Sequence, residues 1–305
     1  MTTTFELPLL GPAGEPVDLE RTLNSHGFAE LSPLRLDARS VTLDVTLRVR
    51  RGRPRRVRIG RGSRGSALVT ILGPAAGPRI VEEVTQGARR VLRLGQDLSG
   101  FYEMAAADPA FAWVTAGAGR MLQSPTVFED VVKTVCTTNC TWSATERMVN
   151  ALVSELGDPA AAGKGPLTNA FPTPEAMARA PESFYRETVR AGYRGAYLIA
   201  LARSVARGDL DLEALAAAPT GNLPDEELER RLLALPGVGP YAAAHVMMTM
   251  GRNSRLILDS WTRPKYARLL GKKSVSDVAI QRRFRRFGEH AGLAFWLFVT
   301  QDWLD

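Results

Sequence analysis

The chain has 305 residues, of which 45% are hydrophobic, 23% charged and 7% aromatic. This balance excludes bulk disorder, a collagen-like fibre and a coiled coil, and the length suits one large domain or two ordinary ones. Lysine plus arginine number 39 against 32 acids, a net charge of +7, and a basic surplus suits a polyanionic partner without proving one.

The first ninety residues have the period of strands. Val41, Leu43, Val45, Leu47 and Val49 alternate with Thr42, Asp44, Thr46, Arg48 and Arg50, as in a half-buried strand. Gly52-Arg53-Pro54 breaks the run, Arg56 to Ile59 resumes it, and Ala67 to Leu72 reads as a further strand. A small antiparallel sheet with glycine- and proline-rich turns is expected. Nine arginines between Arg48 and Arg64 crowd this hairpin; a solvated face and a polyanion patch are the two readings.

From about Glu82 the period becomes helical. Val127, Phe128, Val131, Val132, Val135 and Cys136 form two adjacent apolar columns after a start at Ser124-Pro125. Further helices begin at Pro172-Thr173-Pro174-Glu175, span Tyr193 to Arg207, and follow Asp225-Glu226-Glu227; the last runs through Phe295 and Trp296. The fold class expected is α+β: a β-rich domain over 1–90 and a larger all-helical domain over 91–305.

Cys136 and Cys140 are too few for a disulfide framework, a structural zinc or an iron–sulfur cluster. Two reduced, mostly buried thiols are expected, with no metal and no cofactor. The apolar run from Ala291 to Val299 is too short to span a bilayer and the N-terminus lacks a secretory pattern, so a soluble, cytoplasmic protein without a membrane partner is the expectation.

The segment Leu235-Pro236-Gly237-Val238-Gly239-Pro240-Tyr241 is the most informative. Proline stops one helix, two glycines permit a tight turn, and Pro240 suits the first turn of the next helix. Unpaired N–H groups at Gly237 and Gly239, beside a helix N-terminus, suit a phosphate; any tight interhelical turn uses the same residues. Asp259 follows eighteen residues after Tyr241, behind Arg255-Leu256-Ile257-Leu258. An N-cap for the next helix is one reading of it.

Hairpin, helix, apolar run and aspartate together resemble the signature of the helix-hairpin-helix-GPD superfamily of DNA glycosylases, in which this aspartate is the catalytic carboxylate. Gly192 to Leu198 resembles the segment before the hairpin in 8-oxoguanine and 3-methyladenine DNA glycosylases. Val135-Cys136-Thr137-Thr138-Asn139 resembles the helix end that carries an asparagine beside the flipped nucleotide, and Gly292 to Asp302 the final pocket-lining helix. The likeness is specific from about residue 120 and weaker before 90.

The resemblance implies a monofunctional DNA glycosylase of base excision repair. It would be a monomer acting on double-stranded DNA with a damaged base, with Asp259 activating water. Bifunctional members carry a lysine where Tyr241 stands, and a phenol forms no Schiff base. Tyr241, His245, Trp261 and Phe295 are the implied base pocket, with Asp302 adjoining. An aromatic pocket favours a cationic alkylated purine over 8-oxoguanine. Asn139 and Trp142 are the implied wedge, and Gly237, Val238, Gly239 and Arg263 the strand contacts. A packed core role stands beside the pocket role for His245 and beside the wedge role for Trp142. Eleven basic residues between 251 and 290, among them Arg263, flank Asp259. The alternative from another class is a non-catalytic DNA lesion- or structure-binding protein retaining this fold.

Overall fold

The computed structural model describes residues 2–304. Five antiparallel strands, β1 (Thr3–Pro8), β2 (Arg35–Asp37), β3 (Thr42–Leu47), β4 (Arg55–Arg61) and β5 (Ser66–Ile71), form one sheet in the order β1-β5-β4-β3-β2. Register places Val45 opposite Val57 and Val57 opposite Ile71, with Leu43, Ile59 and Val69 forming a parallel row. All six are fully buried, so the alternation in sequence becomes one apolar face. The short edge strands β1 and β2 were not legible from the alternation. They are held by pairing to their neighbours and carry only a few apolar residues.

The short helix α1 (Leu19–Leu23) follows β1, and α2 (Pro78–Val91) covers the sheet with Val84, Ala88 and Val91. Gly87 is the point of closest approach: a Cβ there would stand 2.7 Å from a Leu47 methyl. The remaining helices are α3 (Ser99–Ala106), α4 (Val127–Thr137), α5 (Trp142–Leu156), α6 (Pro174–Arg179), α7 (Arg194–Ala206), α8 (Leu212–Ala217), α9 (Asp225–Leu233), α10 (Pro240–Met250), α11 (Thr262–Leu269), α12 (Asp277–Phe284) and α13 (Ala291–Thr300). The molecule is therefore α+β, sheet first and helices after.

Both apolar columns of α4 are buried. The helix is capped by Thr126, whose hydroxyl accepts the Glu129 N–H at 3.2 Å, one residue beyond the expected Ser124-Pro125 start. Thr173 caps α6 in the same way. The core does not part cleanly at residue 90. Phe28 and Leu31 pack into the helical core with α4 and α5, while Leu122 joins the sheet.

The arginines of the sheet fasten these layers together. Arg48 pairs with Asp158 and donates to the Phe171 carbonyl at 2.8 Å, and buried Arg56 donates to Thr46 and the Pro33 carbonyl. Arg58 forks onto Asp44 at 2.7 and 3.1 Å. Two further ion pairs are buried, Glu129–Lys133 at 2.6 Å within α4 and, separately, Glu15–Arg120 at 2.7 Å. Among the described residues no helix is long and apolar enough to cross a membrane.

Candidate active site

α9 and α10 are joined by the proline–glycine turn. Gly237 has φ +80, and a Cβ there would lie 2.7 Å from the Tyr197 ring, so both its backbone angle and its neighbour exclude a side chain. Gly239 is different: its backbone is extended and a Cβ would meet nothing within 4 Å. The N–H groups of Gly237, Gly239, Tyr241 and Ala242 find no acceptor among the described residues. They make a row of free donors at the N-terminus of α10, the arrangement that suits an anion. Val238 adds nothing to the row, because its N–H is spent on the Leu235 carbonyl and its side chain is buried.

Asp259 stands before α11. Its Oδ1 accepts the N–H groups of Trp261 at 2.9 Å and Thr262 at 2.6 Å, and Thr262 Oγ1 accepts the Asp259 N–H at 2.9 Å. Thr262 Oγ1 in turn donates to the Ile257 carbonyl at 2.8 Å. The aspartate therefore does cap the helix, with one oxygen. Oδ2 accepts no hydrogen bond from the described residues, and the residue lines a cleft of about 620 Å³. The preceding Arg255–Leu258 run is not a strand.

Asn139, Gly237, Gly239, Tyr241, Asp259 and Arg263 share this cleft. Tyr241 is half-buried, its hydroxyl 3.4 Å from Thr137 Oγ1; burial and the nearby Asp259 charge push its ionisation up. Asn139 takes a left-handed backbone, φ +47, and its Nδ2 donates to the Tyr193 hydroxyl at 3.4 Å. Arg263 reaches the rim but is forked onto Asp277 at 2.7 and 2.9 Å.

The other expected site residues lie elsewhere. His245 is buried against Phe28 at 4.8 Å and His26 at 5.4 Å between ring centroids, and its Nε2 has no partner. Burial, with His26 beside it, pulls its ionisation down to about 3, so the ring is neutral. Phe295 is fully buried between Phe284 and Tyr266 in the helical core. One residue on, about 100° around the helix, Trp296 is the side chain that meets Trp261, at 6.0 Å, with Trp303 closing a cluster of three tryptophans. Trp261 is half-exposed on that cluster and outside the cleft. Asp302 is paired with Lys265, which holds its carboxyl below the ordinary range. Trp142 begins α5 and lies over Gly27, where a Cβ would be 2.7 Å from its ring. The expected aromatic pocket of four residues thus does not form one cavity: only Tyr241 faces the cleft.

Thr137, Thr138, Tyr193, Tyr197 and Ser260 also line it. Tyr193 and Tyr197 sit one turn apart in the Gly192–Leu198 segment, an aromatic pair whose spacing was visible without any sign that it is exposed. Cys136 is buried, but Cys140 is exposed on the cleft, because the chain there has left α4. Among the described residues no three His, Cys, Asp or Glu side chains are grouped to hold a metal ion.

Like Arg263 at the rim, Arg252, Arg255, Lys265 and Arg286 beyond the cleft are all paired with acids. Arg268, Lys272, Lys273, Arg282 and Arg285 are exposed and without ion pairs among the described residues.

Comparison with known proteins bears on this arrangement. Residues 132–293 match the sequence model described as HhH-GPD superfamily base excision DNA repair protein. The chain is 26% identical over 169 residues to a DNA-3-methyladenine glycosylase of Bacillus subtilis (strain 168), covering 55% of this chain and 54% of the relative. The match thus spans about half the length of that relative. Among solved structures, the 3-methyladenine DNA-glycosylase from Archaeoglobus fulgidus has a TM-score of 0.73 at 21% identity, covering 97% of this chain and 98% of that one. The Clostridium acetobutylicum 8-oxoguanine glycosylase/lyase, in complex with double-stranded DNA containing cytosine opposite 8-oxoG, has a TM-score of 0.70 at 20% identity, covering 94% and 92%. At such identities the likeness is one of fold.

Proposed function

The chain belongs to the HhH-GPD superfamily of base excision DNA repair proteins, and from that premise we propose that it is a monofunctional DNA glycosylase, hydrolysing the N-glycosidic bond of an alkylated purine in duplex DNA. The observation that carries the reading is the state of Asp259: one carboxylate oxygen is fixed by two backbone N–H groups while the other is left without a partner on the cleft that also holds the free donors of Gly237 and Gly239. Phosphate binding has no use for a carboxylate there. Bond cleavage does, because positive charge grows on the deoxyribose as the base leaves. A carboxylate about 4 Å from that charge contributes roughly 4 kcal/mol at an effective dielectric near 20, about three decades of rate. The same oxygen can orient and deprotonate the attacking water. Asp259 is held rigid before the reaction begins, which is the requirement for such stabilisation.

Strand anchoring falls to the row of N–H donors, and the extruded nucleotide enters between Tyr241 and Asp259. Among the described residues no lysine lines the cleft. With Tyr241 at the start of α10, an enzyme-bound iminium has no amine to form from, and the product is an abasic site without a strand nick. Tyr193, Tyr197 and Tyr241 make the lining of the cleft aromatic, which suits a cationic base. The name of the Bacillus subtilis relative, matched over about half of its length, supports the same substrate class.

One observation favours a second reading, a non-catalytic DNA-binding protein: His245 and Phe295 are packed into the core and neither lines the cleft. Incubating the protein with duplexes that contain 3-methyladenine, 7-methylguanine, hypoxanthine, uracil or 8-oxoguanine, then cleaving abasic sites with alkali, separates the two. Strand cuts at an alkylated purine, seen only after alkali, are expected. Cuts at none of the five, with tight binding retained, would leave the second reading.

A further inference from the structure

The nine arginines between Arg48 and Arg64 sort by their partners. Four fasten the sheet: Arg48 pairs with Asp158, Arg56 and Arg58 with Asp44, and Arg61 with Glu20. Arg50, Arg51 and Arg53, exposed in the turn between β3 and β4, make no ion pair with any described residue. Arg55, the first residue of β4, makes none either, and its Nε and Nη1 are covered without an acceptor. The carboxylates at hand are already engaged. Asp158 is held by Arg48, and Glu83 by Arg79 at 3.1 Å and by the Arg50 N–H at 2.7 Å. Arg64 stands apart, in the turn at the other end of β4.

A second loop adds to this charge. The segment after α5 is fastened to the hairpin at both ends: the Ala161 N–H donates to the Pro54 carbonyl at 2.8 Å, and Thr46 Oγ1 donates to the Thr168 carbonyl at 2.8 Å. Between those points Lys164 is exposed, unpaired among the described residues, and flanked by Gly163 and Gly165 at positive φ. Like charges on two adjoining loops repel one another, and a bound polyanion relieves the repulsion.

α5 sets the distance from these loops to the cleft. It starts at Trp142, two residues after the cleft residue Cys140, and ends at Leu156, two residues before Asp158. Its 15 residues span about 22 Å at about 1.5 Å per residue. Along a duplex that distance is about six to seven base pairs.

We propose that the β3–β4 turn and the 161–168 loop form a second phosphate-binding surface, which holds the duplex flanking the lesion. The proposal rests on the duplex-DNA substrate of the reading above. Arginine and lysine on exposed loops grip phosphates without reading sequence. Neither loop carries an aromatic residue on which an unpaired base could stack, so the surface suits a double strand over a single one. The duplex is also the polyanion that the cleft itself brings near, since a first contact raises the local concentration for a second.

The test uses Arg51→Ser/Lys164→Ser, which removes two exposed charges, and Arg51→Lys, which keeps the charge. Fluorescence anisotropy across a salt series compares them with the parent on duplexes of about 12 and about 30 base pairs, each with a central tetrahydrofuran abasic analogue. The shorter duplex reaches about 20 Å to either side of the lesion and stops short of the turn; the longer one passes it. On the longer duplex the double variant should lose at least roughly tenfold in affinity at about 0.1 M salt. Its slope of log affinity against log salt should be shallower by about 1.8, the increment for two phosphates. On the shorter duplex both quantities should match the parent, because about 22 Å exceeds the screening length of about 10 Å at that salt. Arg51→Lys should behave as the parent on both, and excision of 7-methylguanine from the shorter duplex should be unchanged in every variant.

Equal losses on the two lengths, or no loss on either, overturns the proposal. So does capture of a polyglutamate peptide that the double variant abolishes while both duplexes bind as before, since the surface then serves an acidic protein. If the parent excises nothing, anisotropy alone decides: a loss confined to the longer duplex sustains the second surface while the glycosylase reading fails. Should the double variant fail to fold by thermal melting, Arg51→Ser is judged by the same criteria, with a slope change of about 0.9.

Discussion

Asp259 and Thr262 hold each other in both directions: the threonine hydroxyl accepts the aspartate N–H at 2.9 Å while the aspartate Oδ1 accepts the threonine N–H at 2.6 Å. The exchange fixes the carboxylate before substrate arrives, and Thr262 is anchored in turn on the Ile257 carbonyl at 2.8 Å. Thr262→Val keeps the shape and removes the hydroxyl. It is expected to cost about 1–2 kcal/mol of stability, since the Asp259 N–H and the Ile257 carbonyl lose their partner. It should also slow excision on the order of tenfold through a less constrained carboxylate. Chemical denaturation and single-turnover kinetics measure the two effects separately, and an unchanged rate would remove Thr262 from the account.

The two hairpin glycines separate folding from binding. Gly237→Ala places a methyl at φ +80 and against Tyr197, and should destabilise by about 1–2 kcal/mol or more. Gly239→Ala meets open space, so stability should stay within about 0.5 kcal/mol. Its methyl would nevertheless stand over the free N–H row, and DNA affinity should fall by roughly tenfold. Gly239→Ala with unaltered affinity would place the phosphate elsewhere.

Arg263 is available to DNA only by exchanging partners. The Arg263–Asp277 pair is half-exposed, and such pairs contribute little to stability. Asp277→Asn should leave the fold intact, tighten DNA binding a few-fold, and steepen the dependence of log affinity on log salt by about 0.9, the increment for one more neutralised phosphate. Fluorescence anisotropy across a salt series measures both, and an unchanged slope would mean that Arg263 touches no phosphate.

Acid should loosen the fold through its histidines. Burial pulls His26 down to about 4 and His245 to about 3, below their ordinary 6.5. The unfolded chain therefore binds these protons first, and stability present above pH 6.5 is lost as pH falls toward those values. Asp130, raised by burial to about 7 from 3.8, acts in the opposite sense, with stability falling as pH rises through that window. His290, pulled down by burial, adds to the two histidines and Glu129, pushed up by burial, adds to Asp130; each proton bound by the unfolded chain alone is worth about 1.4 kcal/mol per pH unit. His245→Leu should flatten the slope between pH 4.5 and 6.5 by about one proton; denaturation midpoints across that range measure it, and parallel slopes would contradict it.

Much of this architecture was legible in the sequence, because periodicity and turn chemistry are local. Val41 to Leu47 and the Val127–Cys136 columns announced the core faces that they form, while Val49 lies past the end of β3 and outside the core; Pro236 to Pro240 announced the hairpin. The edge strand β1 was hidden because its partner β5 lies far along the chain, and β2 because three residues, Arg35–Asp37, are too few to show a period. Within the cleft, Asn139, Gly237, Gly239, Tyr241, Asp259 and Arg263 came together from positions scattered over more than a hundred residues, guided by family resemblance. Phe295 and His245 went to the core because a helix's rotation about its own axis is set by tertiary packing: Trp296, one position on, faces the tryptophan cluster instead. Tyr193 and Tyr197 were overlooked, since sequence gives no sign that this aromatic pair is exposed on the cleft.

Asp259→Asn tests the central claim most directly, because asparagine caps a helix as well as aspartate does and so preserves the fold while removing the charge. The account predicts parental melting temperature, parental affinity for an alkylated duplex, and single-turnover excision reduced by about three decades. Excision at the parental rate by this variant would contradict it.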